Sequence, residues 1–512
     1  MNPVTVLFAS ALIVASQARG EEALVSVQLN PTAVVCQKFL GFGAEWDSNG
    51  YDENKVTEAD FAVIRKRVEW MHLPIARIMM QSRWCYKGNG QYDWNGPKML
   101  ALYRQLDVCQ KLGTTVLLTD WGIEPSWLAT PDVAKVENPK YAGIIAAYMD
   151  YLLNKRNYTC IKYFIQGNEP NLEVKEWNRW RKGVENVAAE FQAKGLDGKV
   201  VLMGSDQSDG DDWHRNAVDQ LQQTLGAYDI HHYATEELVR TGGLFDYYKK
   251  NWEYALTWDP KAKNKPLVVG EAGVIGLGCD AGNNPRSGDP RYAVLMSDYA
   301  VQAANAGSWA VLAWMLDDNS HAGFTWGMWK NRENGLVTKP WFYTWSLLSR
   351  CFPAGATIVR ADLTVSDVRV LAANWDNKKI AAEGCWSICI VNRAATPKTV
   401  RLQMTGGPTL NLCRYGFSNA SAVTDKNGFP LALEKLTCNL RTGVNLSCEA
   451  NSVIVLSSMG DDIPSFSSTK NISSAGAGGG KMYLGPGASA TVPPARRGGH
   501  TLSPTLSGAL TP

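Results

Sequence analysis

Only six histidines are spread over the 512 residues of this chain. None recurs at ligand spacing and no Cys-x-x-Cys pair accompanies them, so no dedicated metal site is expected. G-x-S-x-G and H-E-x-x-H are both missing, which removes the common signatures of serine hydrolases and zinc proteases. No block of one charge exists: 51 Lys and Arg stand against 49 Asp and Glu, a formal net charge of +2. Without a basic block interleaved with aromatics, neither nucleic acid nor an acidic membrane surface is an expected partner. Beyond the first residues no apolar run approaches bilayer-spanning length. No feature calls for a cofactor, and a monomer is expected.

What is present fits a soluble globular protein, with 45% hydrophobic and 20% charged residues. The length suits a barrel of roughly 250–300 residues plus a smaller partner domain. Val4 to Ala15 is a short apolar run followed by Ser16-Gln17-Ala18. Although no Lys or Arg precedes the run, residues 1–18 read as a signal peptide cleaved after Ala18, and the protein is expected outside the cell. The 11 cysteines should then pair in part. Cys438 and Cys448 close a short loop and are the expected bridge, although sequence cannot fix connectivity. Asn157, Asn419, Asn445 and Asn471 begin N-x-Ser/Thr sequons.

From about residue 39 to 316, short apolar stretches alternate with amphipathic ones. Eight strands are read at Phe39–Phe42, Pro74–Met79, Thr115–Leu118, Ile161–Ile165, Val200–Met203, Tyr228–Ile230, Leu267–Val269 and Trp309–Ala313. One intervening helix spans Thr57–Met71, with Phe61, Ile64, Val68 and Met71 on one face and Thr57/Asp60 as its cap. Another opens at Asn138-Pro139. Eight β-then-α units predict an α/β fold, a closed (β/α)8 barrel over residues 36–350. An open doubly wound sheet fits less well, because polar segments follow nearly every strand rather than one switch point. After Phe352 the stretches Leu371–Trp375, Trp386–Val391 and Thr399–Met404 are short, β-prone and broken by Asn, Gly and Pro. They predict an antiparallel β-sandwich over residues 351–458, joined by an N-terminal strand from residues 24–35. Residues 459–512 are Ser, Gly, Pro and Thr rich and read as a disordered tail.

Reactive groups in such a barrel sit where strands end at the C-terminal rim. The fourth strand runs into Q-G-N-E-P-N, placing Asn168 and Glu169 there. The seventh runs into G-E-A-G, placing Glu271 across the mouth. Retaining glycoside hydrolysis needs two such carboxyls about 5–5.5 Å apart, one as nucleophile and one as acid, then base. Each glutamate singly could be an ordinary surface or capping residue; together on facing strands they are harder to dismiss. Glu45, Trp46 and Asp47 on the first loop are candidates to grip sugar hydroxyls, or a plain polar rim. Trp84, Trp121, Trp127, Trp177 and Trp180 are candidate sugar platforms, with packing the plainer use for at least half.

These motifs resemble glycoside hydrolase clan A, the family 5, 30 and 39 type of enzyme. The resemblance implies that Glu169 is acid/base and Glu271 nucleophile, and that Asn168 binds the sugar 2-hydroxyl. It implies that Arg77 in A-R-I-M-M sits beside the nucleophile and keeps it ionised, and that His231 and Tyr233 form an H-x-Y pair with Tyr233 bonded to Glu271. It also implies that Trp314 floors the sugar subsite. Family 30 is the nearest pattern, through Q-K-F-L-G-F-G, E-P-S-W and Y-T-W-S-L-L-S-R-C-F-P-A-G. The first loop, A-E-W-D-S, and the long loop after strand seven depart from it. The implied function is a secreted retaining β-glycoside hydrolase acting on a β-linked oligo- or polysaccharide. A transglycosylase on the same scaffold and a non-catalytic carbohydrate-binding protein are the alternatives.

Overall fold

A computed structural model describes residues 24–53, 55–121, 124, 130–319, 323–381, 384–419 and 421–460. Residues 1–23, which hold the expected signal peptide, and Trp127, Asn471 and the rest of the chain beyond Gly460 lie outside the described residues. Eight parallel strands close a barrel: Gly41–Glu45, Ile75–Met80, Thr115–Asp120, Ile161–Gln166, Val201–Ser208, Ala227–Thr235, Leu267–Ile275 and Ala310–Ala313. Here they are strands one to eight in that order. Strand eight returns to strand one through Ala310↔Gly41 to Ala313↔Ala44.

Period-two alternation sorts each strand into an inner and an outer face. Ile75, Leu117, Ile165, Met203, Ala227, Val268, Ala310 and Leu312 fill the interior as one layer. Their neighbours Ala76, Val116, Phe164, Tyr228, Val269 and Val311 pack outward against the helices. Two residues above the inner layer, the same periodicity turns Arg77, Thr119 and Asp229 inward. The lower barrel is thus sealed with aliphatic side chains while its mouth is lined with polar ones.

Local chemistry agrees with this layout. Helix Glu58–Met71 begins with a reciprocal capping box between Thr57 and Asp60. Helix Pro139–Asp150 starts on Asn138, whose side chain accepts from the Lys140 N–H. Gly43 is required by close approach, because a Cβ there would lie 2.1 Å from the Ile75 carbonyl oxygen on strand two. Phe39, expected in strand one, ends a longer preceding strand instead, and strands five, six and seven extend well beyond their apolar runs. The apolar pattern stops where the polar rim begins, but the hydrogen-bond ladder does not.

The second layer is a ten-stranded sheet, antiparallel except where Leu24–Gln28 runs parallel to Thr399–Gln403. Strand Leu24–Phe39 also pairs with Ala356–Asp362. Strand Cys385–Asn392 is buried along its whole length. Ile388 and Ile390 face the interior of the curled sheet, whereas Cys389 and Val391 join the barrel's core. Helices Pro290–Asn305 and Pro340–Cys351 therefore carry long buried stretches.

The expected Cys438–Cys448 bridge is not formed; both are buried free thiols. Their strands follow each other in sequence but pair elsewhere, Glu434–Asn439 with Thr409–Ser418 and Val444–Cys448 with Lys398–Gln403. Proximity in sequence, the basis of the expectation, does not carry into the sheet order. Asn157, Asn419 and Asn445 are exposed. Among the described residues no helix is long and apolar enough to cross a membrane.

Barrel and sheet are tied by a buried ion cluster. Asp298, with no exposure, meets Arg393 at 2.7 Å and Arg369 at 3.3 Å from the sheet. Removing one member of such a cluster strands the others in a poorly solvated site. Asp298→Ala is expected to cost roughly 3–5 kcal/mol in urea unfolding. A loss under about 1 kcal/mol, as for an exposed pair, would contradict that reading.

Candidate active site

Glu169 and Glu271 meet at the barrel mouth. Carboxylate oxygens of both, and a ring nitrogen of His231, lie within 4.8 Å of one another. Glu169 is placed by an unusual backbone: its φ is +41°, in the left-handed region, immediately before the short helix Pro170–Glu173. A glutamate there is strained by about 1–3 kcal/mol, which neighbouring contacts must offset. Its side chain keeps 18% exposure, so it can reach a ligand. Glu271 sits just after a register shift in strand seven. At Gly270 a Cβ would come within 2.4 Å of both Asp229 carboxylate oxygens. Glycine therefore makes room for the Asp229 carboxyl beside Glu271.

Both oxygens of Glu271 are held. Arg77 Nη1 donates to Oε1, and the Tyr233 hydroxyl donates to Oε2 at 2.5 Å. The remaining Arg77 contacts fix its plane: Nε donates to Thr119 Oγ1 at 3.1 Å, and Nη2 to Asn168 Oδ1 at 3.0 Å and to both Asp206 oxygens at 2.9 and 3.1 Å. His231 lies 3.1 Å from Glu169 through Nδ1 and 3.0 Å from Asp206 through Nε2. Its Nδ1 is also 3.7 Å from Glu271.

The charge states follow from competition between burial and these partners. Burial lifts Glu271 above the usual glutamate range; His231, Arg77 and the Tyr233 hydroxyl pull it down, and Glu169 adds to the rise. Arg77, expected to keep the nucleophile ionised, does act in that direction, and so does Tyr233. For a carboxylate sealed in a barrel wall, the loss of hydration outweighs these contacts. Burial opposes the cationic form of His231, but Glu271 and Asp206 outweigh it and hold the ring well above the ordinary histidine value. Against its own burial, Asp206 is kept ionised by Arg77 and His231. Asp229, which is buried and repelled by Asp206, is pushed well up and stays neutral. Burial and the neighbouring Glu271 likewise keep Tyr233 a neutral donor.

Several expected ligand contacts are placed differently. Glu45 and Trp46 are completely buried and cannot grip a sugar. Strand one carries its pairing on past Glu45, which lies opposite Arg77, and the Trp46 N–H bonds the Arg77 carbonyl at 2.8 Å. Trp46 stacks on Phe61 and donates to the Tyr51 hydroxyl. Glu45 has no hydrogen-bond partner for either carboxyl oxygen. Burial, Asp47 and Asp317 push its pKa well above the usual range, which makes it a neutral acid. Arg77 and His231 are also sealed, so they act on the glutamates rather than on a ligand. Trp180 is a core residue, and Trp84 is nearly so.

Other aromatics do line the mouth. Trp314, Trp326, Met79 and Met315 form one cluster, against which Trp121, Tyr233 and Phe324 pack. Trp326, from the loop after strand eight, meets Tyr233 edge-on at 5.3 Å. Trp121 is partly exposed and donates to Glu173 at 2.6 Å. Asn168 is 8% exposed and spends its oxygen on Arg77, which leaves its amide N–H groups as donors.

Among the described residues, two groups could in principle gather round a cation: Glu169, His231 and Glu271, and Asp206, Asp229 and His231. In both, positive charge is already supplied by Arg77 and His231. A divalent ion would have to enter beside a guanidinium that cannot lose its proton.

Asp206 was not anticipated from sequence. It lies three residues past the apolar run of strand five, in S-D-Q-S, which reads as an ordinary polar loop. The only available signal was position, since the rim after strand five faces the same mouth as Asn168 and His231.

No family model matches the sequence, and no curated protein matches it significantly. The fold, in contrast, is shared with solved structures. A family 30 subfamily 8 xylanase from Clostridium acetobutylicum superposes with a TM-score of 0.59 at 15% identity, over 84% of this chain and 99% of that one. A family 51 arabinofuranosidase from Xanthomonas axonopodis pv. citri gives 0.59 at 18% identity, over 85% and 99%. A bacterial orthologue of human α-L-iduronidase gives 0.61 at 13% identity, over 87% and 85%. At these identities the likeness is one of architecture: a barrel joined to a β-sheet domain, built the same way as in these three proteins.

Proposed function

We propose that this chain is a retaining β-glycoside hydrolase, exported from the cell, that cleaves a β-linked oligo- or polysaccharide by double displacement. One observation carries the reading. Two glutamates from facing strands bring carboxylate oxygens within 4.8 Å at the open end of a barrel, with a guanidinium and a phenol clamped on one of them. That closeness supports a retaining pair rather than the wider spacing of an inverting one. The architecture shared with a xylanase, an arabinofuranosidase and an α-L-iduronidase orthologue supports glycoside hydrolysis in general, and the apolar run Val4–Ala15 supports export.

In this reading Glu271 attacks the anomeric carbon while Glu169, the more exposed of the two, protonates the leaving oxygen. Arg77 and Tyr233 hold Glu271 so that one oxygen faces the sugar. When Glu271 becomes an ester its charge disappears, and Glu169, now ionised, takes a proton from water as it attacks. Trp314 and Trp121 offer flat faces to the sugar ring, and the Asn168 amide offers a donor beside both carboxyls.

Glu271→Gln is expected to abolish turnover of any β-glycoside. Glu169→Gln should slow natural substrates at least 100-fold, yet spare aryl glycosides whose leaving group needs no proton. Wild-type rates in both variants on a panel of aryl β-glycosides and polysaccharides would refute the assignment.

The raised pKa of Glu271 sets the acid limb of the pH profile. The group must be ionised to attack, so activity is lost as pH falls through its elevated value, above the range of an ordinary glutamate. Tyr233→Phe removes a donor to the anion and should move that limb up by roughly one unit. A limb unmoved in the kcat/KM profile would mean the hydroxyl does not act on the nucleophile.

A further inference from the structure

Asp206 occupies a place that nothing in the two-glutamate chemistry requires, yet the fold goes to some length to put it there. Strand five pairs with strand six through Ser205↔Asp229 and then Gln207↔Ile230, so Asp206 is the extra residue of a bulge. Its φ is +59°, in the left-handed region. Aspartate tolerates that conformation better than most residues, and a bulge is a standard way to re-aim one side chain. The re-aimed carboxylate has no exposure. It accepts from Arg77 Nη2 through both oxygens at 2.9 and 3.1 Å, and from His231 Nε2 at 3.0 Å. It also accepts from the backbone N–H of Glu169 at 3.1 Å. That last bond falls on the residue whose own backbone is held at φ +41°.

These contacts form a chain. Glu271 is bonded by Arg77, Arg77 by Asp206, Asp206 by His231, and His231 by Glu169. We propose that Asp206 is a positioning residue that couples the two glutamates, holding Arg77 against Glu271 and both the ring of His231 and the backbone of Glu169 in place through one carboxylate. The proposal rests on the glycosidase reading for what the glutamates do, but not for the coupling itself.

The electrostatics make the same assignment. His231 is faced by Glu169 after strand four, Asp206 on strand five, Asp229 on its own strand, and Glu271 on strand seven. Arg77 on strand two is the opposing cation, and Tyr233 is a neutral phenol two residues on. Of these, Asp206 alone both touches the ring at hydrogen-bond distance and is ionised by two cationic partners. Neutralising it leaves Arg77 still paired with Glu271. It removes from His231 the negative charge beside Nε2 that helps keep the ring protonated.

The test is Asp206→Asn, of the same shape but uncharged, with Asp206→Glu as the second variant in the full-length protein. The primary readout is the His231 ring, assigned by its loss in His231→Gln and followed by NMR across pH. In the wild type the ring should stay protonated through the region near 6.5 where a free histidine titrates. In Asp206→Asn its midpoint should fall by about one unit or more, a tenfold change per unit. Asp206→Glu keeps the charge on a longer arm and should give an intermediate midpoint. On the best aryl β-glycoside, Asp206→Asn should lose roughly 100-fold in kcat with KM little changed, and Asp206→Glu should recover part of it.

A His231 titration identical in wild type and both variants would overturn the coupling, even if the enzyme hydrolyses glycosides. The predicted titration with no glycosidase activity in the wild type would keep the coupling and reject the function. If Asp206→Asn does not fold, the midpoint and kcat of Asp206→Glu decide alone, and values equal to wild type would overturn the proposal.

Discussion

A guanidinium sealed inside the mouth of a barrel needs partners for its charge and for its N–H groups, and that need organises the site. Arg77 has no exposure, and an unpaired cation there would carry a desolvation penalty of several kcal/mol. The chain meets the need from four strands at once: Thr119 from strand three, Asn168 after strand four, Asp206 from strand five and Glu271 from strand seven. Each partner is thereby fixed to the same rigid plane. The arrangement explains how a carboxylate as buried as Glu271 can carry charge, and why its neighbours are so constrained.

The barrel makes this possible by dividing its interior in two. One aliphatic layer closes the base, and the next inward positions hold Arg77, Thr119 and Asp229. Strands give the groups at the mouth rigidity that loops would not, while local irregularities give them aim. Glu169 and Asp206 both sit in left-handed backbone, and Glu271 follows a register shift that Gly270 permits. These departures from regular structure cluster within one hydrogen-bonded network and are sparse in the strands' lower halves. Strain of this kind persists only where surrounding contacts over-determine it.

How much of this could be read from the residues depended on which physical signal carried it. The eight strands were legible because their lower halves are continuous apolar runs, and helix starts at Thr57 and Asn138 were legible because capping is local. Glu169 and Glu271 were legible because both lie just past such runs on facing strands, in N-E-P and G-E-A-G, and Arg77 and Tyr233 through the family resemblance that those motifs carry. Asp206 was not, since a bulge and a positive φ leave no mark in the hydrophobic pattern and S-D-Q-S looks like any turn. Trp46 and Glu45 were misread for the opposite reason. What looked like the start of a polar loop is the end of strand one, where Glu45 pairs opposite Arg77 and Trp46 packs on Phe61, and both are buried. The Cys438–Cys448 bridge failed because neighbours along the chain went to different strands of the sheet.

A retaining mechanism needs two carboxyls close enough for one to form, and the other to help break, a bond to the same sugar. Stereochemistry reports that directly. With the β-glycoside that the enzyme turns over fastest, the first product seen by proton NMR should be the β-anomer, with the α-anomer appearing only as mutarotation proceeds. An α-anomer formed first would mean single displacement by water, and would contradict the account however active the protein proved to be.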